Sequence, residues 1–201
     1  MPDAAQSGET REFDEQAMHA AWVVEPPKLT GPVVLAAYDP AWAALFAREA
    51  ERIRSILGDT VVLLEHVGST SVPGLAAKPI IDILLVVPDS ADEPAYVAPL
   101  KAHGYTLVIR EPDWHEHRCL KGPDTNINLH VHSPSSPEIE RHLLFRDWLR
   151  DNDADRALYQ STKRELSTKD FTYIQEYADA KTAVVSQILA RAAAARDSGG
   201  A

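Results

Sequence analysis

The sequence has one cysteine, no long apolar run and fewer basic than acidic residues, and each shortage excludes a class of protein. Cys119 stands alone among 201 residues, so no intramolecular disulfide framework is available, and a reducing compartment, the cytoplasm, is predicted. No stretch approaches the roughly 18 apolar residues that indicate a membrane span. The N-terminus also lacks a basic segment followed by an apolar one, so we expect no secretory signal.

The charge balance of the sequence limits the classes of molecule that the protein is expected to bind. Lys and Arg number 20 against 30 Asp and Glu, which gives a formal net charge of −10. This balance disfavours binding to polymeric nucleic acid or to anionic membranes. A small nucleotide held by a few local cations remains compatible with it. The 45% hydrophobic content is enough for one buried core.

The most informative stretch is a turn between two short apolar runs rich in β-branched residues. The runs Val61–Leu64 and Ile80–Val87 predict buried strands. Between them, Gly68-Ser69-Thr70-Ser71 offers backbone N–H groups and hydroxyls that a polyanion can use. The alternative is a tight turn whose hydroxyls bond its own backbone.

The second predicted strand carries one carboxylate, Asp82, in an otherwise apolar segment. A buried carboxylate without a partner is costly, so it normally pairs, takes up a proton or binds a metal. A phosphate-binding turn followed by this residue indicates a nucleotide–metal site. The alternative is a structural acid bonded to backbone N–H groups or to Lys78.

The run GSTSVPGLAAKPIIDI, residues 68–83, resembles the signature of the GrpB-like family, a branch of the nucleotidyltransferase-fold superfamily. The resemblance extends from about Val33 to Ile188 and includes the later LLFRDWLR segment. In the superfamily, a Gly-Ser pair precedes a strand with two metal-binding carboxylates one residue apart. Gly68-Ser69 and Asp82 match this pattern, whereas Leu84 occupies the second carboxylate position.

The resemblance implies a set of site residues and two cofactors, a nucleotide and a divalent metal, Mg²⁺ or Mn²⁺. Asp82 would hold the metal and take part in catalysis, and the superfamily's third carboxylate aligns with His130 or His132. Lys163 is a further cation at a recurring position. The residues expected to contact phosphate are Gly68, Ser69, Thr70, Ser71, Lys78, Arg146 and Lys181.

The segment Thr125–His132 is the second informative place. Alternation puts Asn126, Asn128, His130 and His132 on one face of a strand and three apolar residues on the other. Neutral imidazole binds divalent metals, although it favours softer ions than Mg²⁺. We therefore predict His130 and His132 as catalytic residues and His130 as a metal ligand beside Asp82. His115 and His117 form a similar pair on the partner strand, with ordinary surface residues as the alternative.

The order of elements predicts an α+β fold: a nucleotidyltransferase-like mixed sheet followed by a helical part. We expect a flexible extension over 1–32, with Phe13, Met18 and Trp22 marking a short docking helix. A single domain follows over 33–195, with its sheet core ending near 134, and 196–201 form a polar tail. Predicted strands lie near 33–35, 60–67, 79–87, 105–110, 114–120 and 125–132. Predicted helices lie near 41–57, 93–103, 136–150, 153–167 and 171–194.

Three functions are compatible with these residues. The first is a metal-dependent nucleotidyltransferase acting on a nucleotide and a small acceptor. The second is a non-catalytic nucleotide-binding or accessory module, which the missing carboxylate at Leu84 favours. The resemblance also implies this role, because similar domains are fused to dephospho-CoA kinase. The third is a metal-dependent hydrolase that holds zinc or manganese with His115, His117, His130, His132 and Asp82.

Overall fold

The computed structural model describes residues 13–199, which form a mixed five-stranded sheet with helices on both faces. The first twelve residues of the predicted extension and the last two of the predicted tail lie outside this range. The sheet order is β1-β2-β5-β4-β3. The strands are β1 Leu63–Val67, β2 Ile81–Val86, β3 Thr106–Glu111, β4 His117–Lys121 and β5 Ile127–His132. The helices are α1 Glu15–Ala21, α2 Ala41–Leu57, α3 Glu93–Ala102, α4 Glu138–Asp151, α5 Asp153–Ser167, α6 Ile174–Asp179 and α7 Thr182–Gly199.

Strand pairing brings the two informative segments of the sequence side by side. β2 pairs in parallel with β5, whereas the other three pairings are antiparallel. In this register Asp82 lies opposite Asn128, and Leu84 lies opposite His130. Because side chains alternate along a strand, Asp82, Asn128 and His130 share one face of the sheet.

The other face of the sheet carries the main hydrophobic core. Ile127, Leu129 and Val131 are fully buried there, so the predicted alternation of β5 is confirmed. Helices α2 and α3 cover this face. Asp39 Oδ1 accepts a hydrogen bond from Ala41 N (2.8 Å) at the start of α2, and Gly58 ends the helix with φ 52°.

The polar face of the sheet is covered by the C-terminal helices. Val72 and Leu75, which follow the Gly-Ser turn, pack with Tyr159 of α5 and with Val184 and Ile188 of α7. This second core fixes the turn between the sheet and the helices. The turn therefore borders the space between the polar sheet face and helices α5 to α7.

The N-terminal segment contacts the far edge of the sheet. Met18 of α1 is buried, Trp22 forms a β-bridge with Ile109, and Val23 N donates to Val108 O (3.0 Å). The predicted strand near 33–35 is wrong, because this segment contributes only a single bridge, Ala36 with Ala77. No helix within residues 13–199 is long and apolar enough to cross a membrane.

Three predicted boundaries also differ. The expected single helix over 171–194 is two helices, α6 and α7, separated by Ala180 and Lys181. Neither Gly nor Pro marks this break, so composition gave no signal for it. Helix α7 continues through most of the predicted tail to Gly199. The strand expected from 114 begins at His117, because Trp114 to Glu116 form a turn in which His115 and Glu116 have φ near 53° and 52°.

Candidate functional site

A cavity of about 350 Å³ lies between the polar sheet face and the C-terminal helices. The Gly-Ser turn, β2 and β5 form one side, and α5, α6 and the break before α7 form the other. Its lining includes residues far apart in the sequence: Leu35, Gly68, Ser69, Thr70, Lys78, Ile80, Asp82, Asn128, His130, His142, Lys163, Tyr177, Ala178 and Lys181.

Gly68 brings the backbone of the turn against Asp82. Its φ is +68°, a region that side-chain-bearing residues rarely adopt. A Cβ at this position would lie 2.3 Å from Asp82 Oδ2. Glycine is therefore required both for the conformation of the turn and for the close approach of the carboxylate.

The three hydroxyls of the turn have different roles. Ser69 Oγ accepts a hydrogen bond from Lys163 Nζ (3.1 Å) at the cavity wall. Thr70 lines the cavity, but its Oγ1 donates to Ile80 O (3.1 Å). Ser71 Oγ donates to Gly68 O (2.6 Å) and does not line the cavity. For Ser71 the structure favours the alternative: its hydroxyl closes the turn.

Three lysines bring positive charge to the cavity. Lys78, Lys163 and Lys181 all line it, and Lys163 is almost fully buried. Asp82 is the one carboxylate among the described residues that line the cavity, and its charge acts on all three amines. Lys163 Nζ donates to Ala76 O and Ser69 Oγ, both neutral groups.

The lysine pKa values reflect this crowding. Burial, followed by the charges of Lys181 and Lys78, lowers the pKa of Lys163 to about 7. Burial and the charge of Lys181 lower the pKa of Lys78 to about 8. Burial likewise lowers the pKa of Lys181, although Asp82 and Asp179 oppose the effect.

Tyr177 connects two of these cations and has an unused polar atom. The amines of Lys181 and Lys78 lie 4.7 and 5.4 Å from the centre of its ring. The side chain is 1% exposed, and its hydroxyl has no hydrogen-bond partner among the described residues. A buried hydroxyl is normally satisfied, so this oxygen is available to a ligand or to water.

Asp82 faces the lysines from β2. Its Oδ1 accepts a hydrogen bond from Asn128 Nδ2 (2.7 Å) and lies 3.9 Å from His130 Nε2. Burial raises the pKa of Asp82, but His130, Asn128 and Lys78 together hold the pKa below its ordinary value. The carboxylate is therefore ionised at neutral pH.

The predicted histidines divide between two cavities. His130 lines both the lysine cavity and a second cavity of about 270 Å³, whereas His132 lines only the second. His117 joins them: its Nδ1 lies 2.7 Å from Glu111 Oε2, and its Nε2 lies 3.1 Å from His130 Nδ1. His115 is exposed in the turn before β4 and lines neither cavity.

Arg146, predicted to contact phosphate, lies outside the lysine cavity. Its guanidinium donates to Glu65 Oε2 (2.7 Å), to Asp147 and to His66 O. These partners satisfy the guanidinium at the edge of β1. The structure therefore does not support a phosphate contact for this arginine.

The metal prediction for Asp82 and His130 remains a prediction. Among residues 13–199, no group of three or more His, Cys, Asp or Glu side chains is arranged to hold a metal ion. Leu84, at the position of the superfamily's second carboxylate, is fully buried. In the described part of the chain, Asp82 and His130 are thus two donors without a third His, Cys, Asp or Glu arranged beside them.

Lys163, Tyr177 and His142 also line the cavity, although the sequence predicted no ligand contact for them. A signal existed for Lys163, because it follows Tyr159 by four residues and precedes Leu166 by three on the buried stripe of α5. A lysine on an apolar stripe indicates a special environment. Tyr177 and His142 carry no such local signal.

Comparison with known proteins places the chain in a family. The family model described as "GrpB protein" matches residues 32–191. A UPF0157 protein of Halalkalibacterium halodurans is 53% identical over 192 residues, covering 96% of this chain and 98% of that protein. The crystal structure of conserved protein GrpB from Enterococcus faecalis has 34% identity and a TM-score of 0.70, covering 79% of this chain and 96% of that one.

A relative with a named activity is similar over only part of its length. The dephospho-CoA kinase of Mycolicibacterium paratuberculosis is 31% identical over 176 residues, which cover 75% of this chain but 43% of the kinase. The match over most of the chain and the shared mixed α+β structure establish one conclusion: the chain belongs to the GrpB family.

Proposed function

We propose that the lysine cavity binds the phosphate groups of a small phosphorylated molecule. The observation that carries the proposal is the set of three lysine amines in one cavity, where Asp82 is the one carboxylate among the described lining residues. One carboxylate balances only part of this buried positive charge, and an anion supplies the rest of the compensation. The neighbouring Ser69 hydroxyl and the unpartnered Tyr177 hydroxyl add polar contacts suited to phosphate oxygens.

The position of Asp82 restricts the form of this ligand. Its carboxylate repels an anion, so the phosphates sit toward the lysine side of the cavity. The Asp82 side then faces the part of the ligand that carries hydrogen-bond donors. A binding or accessory role requires no catalytic group in addition to these residues. This is the function we favour, because Leu84 removes the second carboxylate that the superfamily's transfer chemistry uses.

Nucleotidyl transfer is the second candidate. It is supported by the resemblance to the nucleotidyltransferase-fold superfamily and by the contact between Gly68 and Asp82, which brings the phosphate-binding turn against a carboxylate. The donor set fits a resident Mg²⁺ poorly, since Mg²⁺ requires near-octahedral oxygen coordination and Asp82 offers the only carboxylate among the described residues of the cavity lining. A metal brought in with the ligand's phosphates would leave Asp82 and His130 as its protein contacts.

A ligand panel tests the proposal. Pyrophosphate, nucleoside triphosphates, dephospho-CoA and CoA are titrated by calorimetry, with and without Mg²⁺ or Mn²⁺, at constant ionic strength. The two CoA compounds are included because part of a dephospho-CoA kinase is similar to this chain. We expect at least one compound to bind without metal. Binding that occurs only with metal, together with nucleotidyl transfer, would favour the second candidate.

Matched lysine variants test the place of binding. Lys78→Met and Lys181→Met should each weaken binding at least tenfold, because each removes a cation from the cavity. Lys101→Met and Lys169→Met, at exposed positions, are the controls and should bind as the parent does. Equal affinity in all four variants, or no binding by any compound, would refute the proposal.

A further inference from the structure

The Ser69 hydroxyl occupies a turn that exposes it to the lysine cavity. Strand β1 ends at Val67, and Gly68, with φ +68°, turns the chain into the short 3₁₀ helix Ser69–Ser71. Ser69 is partly exposed and lines the cavity, so a ligand in the cavity can reach its Oγ. A sharp turn from strand to helix is also the position at which α/β-hydrolases expose their nucleophilic serine.

Lys163 of α5 contacts this hydroxyl across the cavity wall. Its Nζ lies 3.1 Å from Ser69 Oγ, although the two residues are 94 positions apart in the sequence. The amine also donates to Ala76 O, and the side chain is only 2% exposed. These two contacts hold the amine beside the hydroxyl. A neutral lysine in such a contact can take the proton of a serine and so activate its oxygen.

The surroundings of Lys163 favour the neutral form of its amine. Burial and the charges of Lys181 and Lys78 lower the pKa of Lys163 to about 7, while Asp82 opposes the shift. A substantial part of the amine is therefore uncharged at neutral pH and can accept the proton of the serine. A general base is most effective when its pKa lies near the working pH.

Tyr159 adds a third polar group, one helical turn before Lys163. Its ring centre lies 4.7 Å from Lys163 Nζ, and its hydroxyl interacts with the hydroxyl of Ser69. Burial raises the pKa of Tyr159 to about 12, so the phenol keeps its proton at neutral pH. A hydrogen bond from the phenol to Ser69 Oγ leaves the serine proton available to Lys163.

We infer that Ser69 is a nucleophile and Lys163 its general base, and that the cavity cleaves a small acyl ester or thioester whose alcohol or thiol part carries phosphate. The phosphate in this substrate class rests on the proposed function, whereas the Ser69–Lys163 pair goes beyond binding. The reaction requires no pair of carboxylates, so Leu84 does not oppose it.

The reaction proceeds in two steps. Ser69 Oγ attacks the acyl carbon while its proton passes to Lys163 Nζ, and the positive charge of Lys78 and Lys181 stabilises the oxyanion. The bond to the alcohol or thiol then breaks, and the leaving group takes the proton from Lys163. Water next gives a proton to Lys163 and attacks the acyl group, and Ser69 Oγ leaves with that proton, which restores both residues.

Diisopropyl fluorophosphate tests the nucleophile, because it reacts with serines that a neighbouring base activates. Ser69 Oγ attacks phosphorus, fluoride leaves, and the proton passes through Lys163 to solvent. We expect peptide mapping by mass spectrometry to find the diisopropylphosphoryl group on Ser69. Ser69→Ala should lose the label, and Ser161→Ala, at an exposed position of α5, is the control that should keep it. An unlabelled Ser69 in the parent would overturn the inference.

The pH profile of labelling tests the base in the unmodified protein. The rate should rise by about tenfold or more from pH 5.5 to 7.5 as Lys163 loses its proton. Over this range Asp82 stays ionised, Tyr159 stays protonated, and Lys78, with a pKa of about 8, stays mainly protonated. A rate that does not change with pH would show that Lys163 is not the base, and the inference would be wrong.

Two variants separate a base from a structural lysine. Lys181→Met removes a charge that lowers the pKa of Lys163, so the midpoint of the labelling profile should move to higher pH. An unmoved midpoint would contradict the assignment. Lys163→Arg keeps a positive charge but cannot accept a proton, so it should lose the label, with circular dichroism checking its fold.

Pyrophosphate binding, measured by calorimetry, separates this inference from the proposed function. If pyrophosphate binds but Ser69 is not labelled, the inference fails and the proposed function stands. If Ser69 is labelled but no phosphate compound binds, the pair is supported and the phosphorylated substrate is overturned. If both hold, pyrophosphate should also slow the labelling, because both ligands occupy the same cavity.

Discussion

Replacing Lys163 with methionine should make the protein without ligand more stable while abolishing anion binding. Methionine matches the length of the aliphatic stem and removes the amine. Each unit of pKa corresponds to about 1.4 kcal/mol. A fall from 10.5 to about 7 thus disfavours the charged amine in the folded protein by about 4 kcal/mol at pH 7.

Lost hydrogen bonds offset part of this gain in the free energy of unfolding. The amine donates to Ala76 O and Ser69 Oγ, and leaving a buried acceptor unsatisfied costs about 1–3 kcal/mol. The free energy of unfolding should therefore rise by about 1–3 kcal/mol at pH 7. Urea unfolding followed by fluorescence measures it. Lys169→Met, an exposed position paired with Glu165, should change stability little.

The pH dependence of the stability difference distinguishes the effect of the Lys163 charge from the effect of side-chain packing. The folded pKa of Lys163 lies below its unfolded value, so the parent gains stability as pH rises from about 7 toward 10.5. At pH 9.5 the penalty of the parent is about 1 kcal/mol, so the advantage of Lys163→Met should vanish. An equal loss of stability at both pH values, or undiminished anion binding, would refute the reasoning.

Three further predictions follow from the same cavity. Affinity for sulfate, whose charge is constant in this range, should fall from pH 6.5 to 9.5 as Lys163 and Lys78 lose protons, because the anion favours their charged forms. Asp82 stays ionised throughout, so constant affinity measured by calorimetry would contradict this prediction. Ser69→Leu should abolish anion binding and leave the circular dichroism spectrum unchanged, since leucine fills the phosphate space. Asp82→Asn should lower the free energy of unfolding by about 1–3 kcal/mol at pH 7, and this loss should disappear as the pH falls below the lowered pKa of Asp82. The same variant should bind anions more tightly without metal, and weaker metal-free binding would argue against our model.

The central strands and the first long helix could be predicted from the sequence. Alternation along Thr125–His132 predicted which residues face the core, and the apolar runs around Gly68 predicted β1 and β2. The first long helix was bounded by its capping signals, Asp39-Pro40 and Gly58. These features depend on residues close in sequence, so a local pattern contains the information.

The site was predicted less completely, because its parts meet only in three dimensions. The turn and Asp82 were identified from one stretch, and Lys78 and Lys181 line the same cavity, while their contact with phosphate stays a prediction. Arg146 lies outside that cavity, because it pairs with Glu65, 81 residues away, and no local sequence pattern indicates that pair. The division of the histidines between two cavities depends on His142 of α4, which approaches β5 only through helix packing.

The break between α6 and α7 determines when the site is complete. Lys181 lies in that break, so one of the three cations sits just before the last helix of the described chain. During synthesis, which begins at the N-terminus, the segments of all five strands, the Gly-Ser turn and Asp82 are made before α7. Lys181 therefore lacks the helix that holds it in place until synthesis is nearly complete. Phosphate affinity would therefore report finished folding, because it would be weakened in every fragment that keeps the sheet but ends before Lys181.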